Sequence, residues 1–308
     1  MGARKKQLRR KLGAAAAGVT AMALVAALVA PVWVAGAGQA TPQVATYTTP
    51  VRTATAPQAM LRVMTLNVAH GRGDGRHQVL TRKKTHRAKL DAVAALLARE
   101  RPDVAALQEA DGPSVWSGRF DHVAHLARAA KFACSVRGEH VKGAKLSYGT
   151  ALLSMLPLER PLSVTFAPSL PTPSKGFVLA TIAWPGHPTL EADVVSVHLD
   201  FARKKVRRRQ VADLIGRLER RGRPLILMGD FNCQWTDEES PLQTVAEKLE
   251  LRAYRPEAED MVTFPKLKKR LDWILISREL EFARYEIVPD RVSDHLGVVC
   301  DVKVAKKD

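Results

Sequence analysis

Pro224-Leu-Ile-Leu-Met-Gly-Asp-Phe-Asn232 drives a short apolar run straight into an acid and an amide. Four continuous apolar residues bounded by Pro and Gly predict a strand buried on both faces. Asp230 and Asn232, which stop it, are residues that a simple core does not need. The same ending recurs along the chain. Leu61-Arg-Val-Met-Thr-Leu-Asn67 alternates and then stops at Asn67, before a loop with Gly71, Gly73 and Gly75. Val104-Ala-Ala-Leu107 runs into Gln108-Glu109, and the strand Ala192–His198 ends in His198-Leu-Asp200. The pair Asp294-His295 precedes a last strand over Leu296–Val304, and Asp272 interrupts Leu271-Asp-Trp-Ile-Leu-Ile276.

Between these strands the apolar spacing changes to that of helices. Leu90, Val93, Ala94 and Leu97 mark one over His86–Arg101, ended by Pro102, and Val211, Leu214, Ile215 and Leu218 mark another over Arg208–Arg221. Further strands are expected at Thr150–Ser154, Phe177–Ala183 and Phe282–Val288. Strands and helices mix without strict alternation, which favours an α/β (α+β) sandwich with partly antiparallel sheets over a doubly wound fold. Residues 61–308 show no repeat and no second linker, so they read as one domain.

What precedes them is different. Six basic residues lie in the first eleven, and Leu12–Ala37 carries no charge, the pattern of a secretory signal or a membrane anchor over residues 1–38. Ala35-Gly36-Ala37 offers a cleavage step, while 26 uncharged residues are long enough to span a bilayer of ~30 Å. In either case the basic flank stays inside and the rest faces outward, secreted or anchored. Residues 39–60, rich in Thr, Ala and Pro, read as a linker.

The 308 residues carry a net charge of +17 with 46% hydrophobic and 26% charged residues, which excludes wholesale disorder. The body remains basic without its N-terminus, so an anionic partner is expected: nucleic acid, or a phospholipid surface. Cys134, Cys233 and Cys300 stand far apart with no CxxC, which argues against a structural zinc and allows at most one disulfide.

A charged Asp inside an apolar strand costs several kcal/mol unless it is paired or binds a cation. Carboxylates from separate strands relieve that cost by gathering around a divalent metal, and oxygen donors of this kind suit Mg²⁺ or Mn²⁺. Singly, each residue has an ordinary reading: Asn67 and Asp230 as turn formers, Glu109 at a helix start, His198 and His295 as hydrogen-bonded histidines. Together they require many independent coincidences.

Taken in order, Thr65-Leu-Asn67, Leu107-Gln-Glu109, Val197-His198-Leu199, Gly229-Asp-Phe-Asn232, Arg270-Leu-Asp272-Trp and Ser293-Asp-His295 resemble the endonuclease/exonuclease/phosphatase superfamily. The resemblance spans Leu61 to about Val304. It implies a four-layered sandwich, two mixed central β-sheets flanked by helices, and metal-dependent hydrolysis of a phosphoester. Carried over, Glu109 resembles the principal metal ligand, with Asn67 beside it and Asp294 completing the site. Asp230 resembles the carboxylate that orients or deprotonates water, and Asn232 its partner on the phosphate. Asp272 and His295 resemble the family's Asp–His pair, and His198 the second histidine on the phosphate. The motif leaves open which of these is the general base. Val68-Ala-His70-Gly71 departs from the abasic-site enzymes, which place an acid two residues after the Asn.

Arg203-Lys-Lys205, Arg207-Arg-Arg209 and Lys266, Lys268, Lys269 and Arg270 suit a polyanion, or simply keep a surface wet. Trp235 suits a base, a lipid or the core. The reading is therefore a monomeric, exported or membrane-anchored nuclease. The alternatives are a sphingomyelinase-like phospholipid head-group phosphodiesterase and a non-catalytic phosphate- or lipid-binding module.

Overall fold

The computed structural model describes residues 37–52, 60–75, 82–143 and 145–306. The segment expected to be a signal or anchor therefore lies, but for its last two residues, outside the described residues. No helix among the described residues is long and apolar enough to cross a membrane.

The chain first lays down β1 (Gly38–Ala40), β2 (Gln43–Thr46) and β3 (Leu61–Asn67), then α1 (Lys83–Glu100), β4 (Val104–Asp111) and α2 (His122–Ala129). A run of strands follows: β5 (Cys134–Lys142), β6 (Ser147–Ser154), β7 (Glu159–Thr165), β8 (Gly176–Trp184) and β9 (His187–His198). Next come α3 (Lys204–Leu218), β10 (Leu225–Asp230), α4 (Pro241–Lys248) and β11 (Leu251–Ala253). β12 (Asp272–Ser277), β13 (Leu280–Ile287) and β14 (Val298–Val304) close the chain. Among the described residues these strands form two seven-stranded sheets, ordered β1-β7-β8-β9-β10-β12-β11 and β13-β14-β3-β4-β6-β5-β2. Both are mixed. The parallel pairs β3/β4 and β9/β10 each need a crossover, which α1 and α3 supply.

Side-chain alternation on doubly buried strands makes the layers. Leu61 and Val63 of β3, and Ile226 and Met228 of β10, point between the sheets. Met64 and Leu66 face Leu90, Val93 and Leu97 of α1, and Leu225 and Leu227 face Val211 and Leu214 of α3. The expected four-layered α/β sandwich is present. All three cysteines are buried and free.

Two expectations change, and two helices are added. Residues 39–60 are not a bare linker, because β1 pairs with β7 and β2 with β5, adding an edge strand to each sheet. Backbone pairing needs no apolar pattern, so the sequence hid them. Helix α3 begins at Lys204, not Arg208, because Asp200 Oδ1 accepts from the N–H groups of Ala202 and Arg203 at 2.9 and 2.8 Å and sets the turn. α2 and α4 span eight residues each, too short for a clear helical period.

Candidate active site at the edge of the two sheets

The parallel pairs bring four strand ends to one edge of the sandwich. In the first sheet Asp230 sits in register with His198 on one side and Asp272 on the other. In the second, Asn67 lies opposite Gln108, one residue before Glu109. Asn67 Nδ2 donates to Asp230 Oδ2 at 3.0 Å and so ties the two sheets at the site. Below them the inter-sheet layer turns polar: Gln108 Nε2 donates to Ser196 Oγ at 3.1 Å and to Thr65 Oγ1 at 3.2 Å.

Two local backbone features aim the acids. Glu109 is the unpaired residue of a β-bulge against β6 and has φ 51°. Such a bulge takes a side chain out of the strand's alternation and re-aims it. Gly229 has φ 148°, and a Cβ there would lie 2.0 Å from the Val197 carbonyl oxygen. The missing side chain lets β10 approach β9 closely enough to place Asp230 beside His198.

Asp230 is buried, with its Oδ2 3.5 Å from His198 Nε2 and 3.8 Å from His295 Nε2. Burial pushes its carboxyl up to about 7; the His295 charge opposes the rise and Asp272 adds to it. His295 Nδ1 donates to Asp272 Oδ2 at 2.8 Å. Burial works against its charge, but Asp272 and Asp230 prevail and raise the imidazole to about 10. His198 is moved the other way, well below the usual histidine range, by burial and by Lys175. The Lys175 ammonium lies 3.3 and 3.1 Å from the two His198 ring nitrogens. The site thus holds one charged and one neutral imidazole around one strained carboxyl.

The Glu109 end is a carboxylate in a cationic cradle. Its Oε2 lies 3.2 Å from His70 Nε2 and 3.6 Å from Arg72 Nη1, and its Oε1 4.0 Å from Lys175 Nζ. Burial disfavours its charge, but His70, Lys175 and their neighbours outweigh it and hold the carboxyl well below the usual range. His70 is a second Asp–His pair, with Nδ1 2.6 Å from Asp111 Oδ1. Trp116 donates to the other Asp111 oxygen at 2.8 Å, and the rings of Trp116 and Tyr148 stand 5.0 and 4.8 Å from that of His70.

Arg72 also donates to Asp294 Oδ2 at 2.6 Å, so Glu109 and Asp294 meet on one guanidinium. Two carboxylates that converge on one positive group are placed to converge on one divalent cation, and this donor set fits a hard metal. Glu109 and Asp294 would hold it; the Asn67 side-chain oxygen, expected beside them, accepts from the Ala69 N–H at 3.0 Å. A second group, Asp230, Asp272 and His295, brings one donor atom each within 4.8 Å of the others. Asp272 Oδ1 there is buried without a hydrogen-bond partner among the described residues. The imidazolium of His295 already compensates the charge of that group.

All eight residues singled out from sequence therefore stand at this edge, in two adjoining clusters bridged by Asn67 and by Lys175. Asn232 has φ 51° and works on the backbone: its N–H donates to Asp230 Oδ1 at 2.9 Å and its Nδ2 to the Leu199 carbonyl at 3.0 Å. Sequence reasoning missed Arg72, Asp111 and Lys175, and recorded His70 only as a departure. Asp111, two residues after Glu109 on the same strand, was the one signal available for its pair with His70. Trp235 joins the core beside Trp273, at 6.3 Å between ring centres.

An acid–imidazole cluster with a cationic cradle at the edge of a two-sheet sandwich defines a phosphoester hydrolase. The chain belongs to the endonuclease/exonuclease/phosphatase family, whose model matches residues 64–295. No curated protein sequence matches it. Among solved structures it is similar to an endonuclease/exonuclease/phosphatase family protein from Leptotrichia buccalis, at TM-score 0.62 and 20% identity over 79% of this chain and 99% of that one. The human Nocturnin catalytic domain, with a bound sulfate anion, gives TM-score 0.61 and 22% identity over 86% and 98%. A Bacteroides thetaiotaomicron mannosyl-6-phosphatase gives TM-score 0.59 and 15% identity over 79% and 99%. At these identities the likeness is one of fold.

Proposed function

We propose that this protein is a divalent-metal-dependent phosphodiester hydrolase that works outside the cytoplasm. The observation that carries the reading is Asp230, a buried carboxyl whose Oδ2 stands 3.5 Å from His198 and 3.8 Å from His295, and which burial raises toward neutral pH. A carboxyl that titrates near neutral pH accepts a proton from an attacking water. His295, kept charged by Asp272, donates to a non-bridging phosphoryl oxygen as charge grows there. Lys175 and Arg72 add fixed positive charge on the opposite side. Glu109 and Asp294 would hold a divalent metal, which would supply Lewis-acid polarisation of the phosphoryl group. The water oxygen replaces the ester oxygen on phosphorus, and the leaving alkoxide takes up a proton from solvent, to which Asp230 returns the one it accepted. Export rests on the basic and then apolar N-terminal sequence.

The test compares hydrolysis of bis(p-nitrophenyl) phosphate with Mg²⁺ or Mn²⁺ and in EDTA, for the parent and for Asp230→Ala. Metal-dependent release that is lost in the variant supports the proposal. Release that persists in EDTA or in the variant removes the mechanism.

Two polyanions remain as substrates. Exposed Lys205, Lys266 and Lys268 support nucleic acid. Arg203, Arg207 and Arg270, however, use their guanidinium groups on the backbone carbonyls of Leu170, Asp200 and Tyr254. That spends three of the ten basic residues of these clusters inside the fold, while Arg208 and Arg209 stay exposed. A separate surface observation favours phospholipid.

A further inference from the structure

The three most exposed large hydrophobic side chains among the described residues are Leu170 at 74%, Leu267 at 62% and Phe201 at 55%. Single exposed apolar residues are ordinary on protein surfaces. These three share a location, because each stands on a loop that runs directly out of the active site. Leu170 lies on the β7–β8 loop that ends in Lys175. Phe201 lies three residues after His198. Leu267 lies on the loop before β12, whose Phe264 ring packs 4.7 Å from the His295 ring.

The fold holds these tips out. Arg203 donates to the Leu170 carbonyl at 2.8 Å and to the Ser169 carbonyl, which joins the first loop to the second. Buried Asp200 accepts from Thr172, and Arg203 donates to the Thr172 hydroxyl at 2.7 Å. The β7–β8 loop is therefore braced from within while its leucine faces solvent. Lys204 and Lys269 line one cavity of about 300 Å³, which places the second and third loops side by side.

The charge next to the three tips is one-sided. Residues 166–175, 199–205 and 261–271 carry Arg203, Lys204, Lys205, Lys266, Lys268 and Lys269 at or near the surface, and their one acid, Asp200, is buried; the exposed acids Glu257, Glu259 and Asp260 lie earlier on the loop before β12. On the neighbouring loop before α4, Asp237 and Glu238 line the same cavity as Lys204 and Lys269, and Glu239 pairs with Lys204 and Arg208. Apolar tips set among lysines match the boundary of an anionic bilayer, where aliphatic side chains enter the acyl region and ammonium groups meet phosphate heads. Nucleic acid fits less well. Its bases stack on flat rings, and two of the three tips are leucines.

We propose that the mouth of the active site docks on an anionic phospholipid surface through Leu170, Phe201 and Leu267, and that the phosphodiester it cleaves is that of a lipid head group. The docking stands on surface geometry; the cleavage rests on the hydrolase reading above.

The test uses the full chain and the triple variant Leu170→Ser, Phe201→Ser, Leu267→Ser. It measures sedimentation with phosphatidylcholine vesicles with and without phosphatidylglycerol. It also measures head-group release, hydrolysis of soluble bis(p-nitrophenyl) phosphate, and plasmid nicking. The expected result is binding that needs phosphatidylglycerol, about tenfold or more weaker in the variant, from the apolar area each serine removes. Head-group release falls in parallel, while the soluble diester is hydrolysed at the parent's rate. Equal vesicle binding by parent and variant overturns the docking. Plasmid nicking that falls in the variant, with no head-group release by the parent, overturns the lipid in favour of nucleic acid. Hydrolysis of no diester by the parent sinks the enzymatic reading alone, because vesicle binding is read independently of it.

Discussion

Replacing Asp230 by Asn removes a charge that burial strains while keeping the side chain's shape. A carboxyl moved from 3.8 to about 7 resists ionisation by roughly 4 kcal/mol, each pKa unit being worth about 1.4 kcal/mol. That shift is already net of the attraction of His295. One loss offsets it, because the Asn67 bond at 3.0 Å meets an amide that must reorient. It costs about 1 kcal/mol, which leaves the variant more stable by about 3 kcal/mol in alkali.

The sign follows from linkage. An acid whose folded pKa lies above its unfolded one favours the fold when protonated. That stability is complete below the unfolded value and is lost as pH rises through the folded one. Urea unfolding in EDTA at pH ~8.5 and pH ~5 reads the difference, because titrations away from Asp230 and its partner His295 are shared and cancel. The variant is expected to be more stable at the higher pH and close to the parent at the lower. Its hydrolytic rate falls by about 10² or more with the loss of the base. A variant that is less stable at the higher pH, or that differs by the same margin at both, refutes the reasoning.

Other expectations are separate. Gly229→Ala places a Cβ 2.0 Å from the Val197 carbonyl oxygen and should lower stability by about 3 kcal/mol; an unchanged urea midpoint would show that β10 can shift freely. Asp272→Ala and His295→Ala should depress kcat/KM to a similar degree, since the pair at 2.8 Å acts as a unit. Near-parent activity in Asp272→Ala would break that pairing. Lys175→Met should lower kcat about 10²-fold by removing fixed charge with little loss of thermal stability, because burial already disfavours the ammonium and Glu109 keeps His70 and Arg72 as partners. A variant that unfolds but retains its kcat per folded molecule would make Lys175 a structural lysine instead.

Much of the fold was legible because doubly buried strands and amphipathic helices write their burial into local spacing. β3, β4, β9, β10 and α1 could be read this way, and the polar residues that stop those strands mark the site edge. The edge strands β1 and β2 could not. They are held by backbone hydrogen bonds to β7 and β5, and such bonds leave no side-chain signature. The basic clusters were legible as charge but not as role. Arg203 and Arg270 look like surface charge in the chain, yet they brace a loop and stack on Trp273 at 3.8 Å.

The sequence by itself determined the sandwich class and, through the order of six short motifs that resemble the family, singled out the eight polar residues that gather at this edge. Only the tertiary structure decided which of them touch. It set Asp230 between a charged and a neutral histidine, and it drew His70, Arg72 and Lys175 around Glu109. Those contacts join residues from opposite sheets, and their energies depend on burial and on distances of a few ångströms. Linear spacing encodes neither quantity.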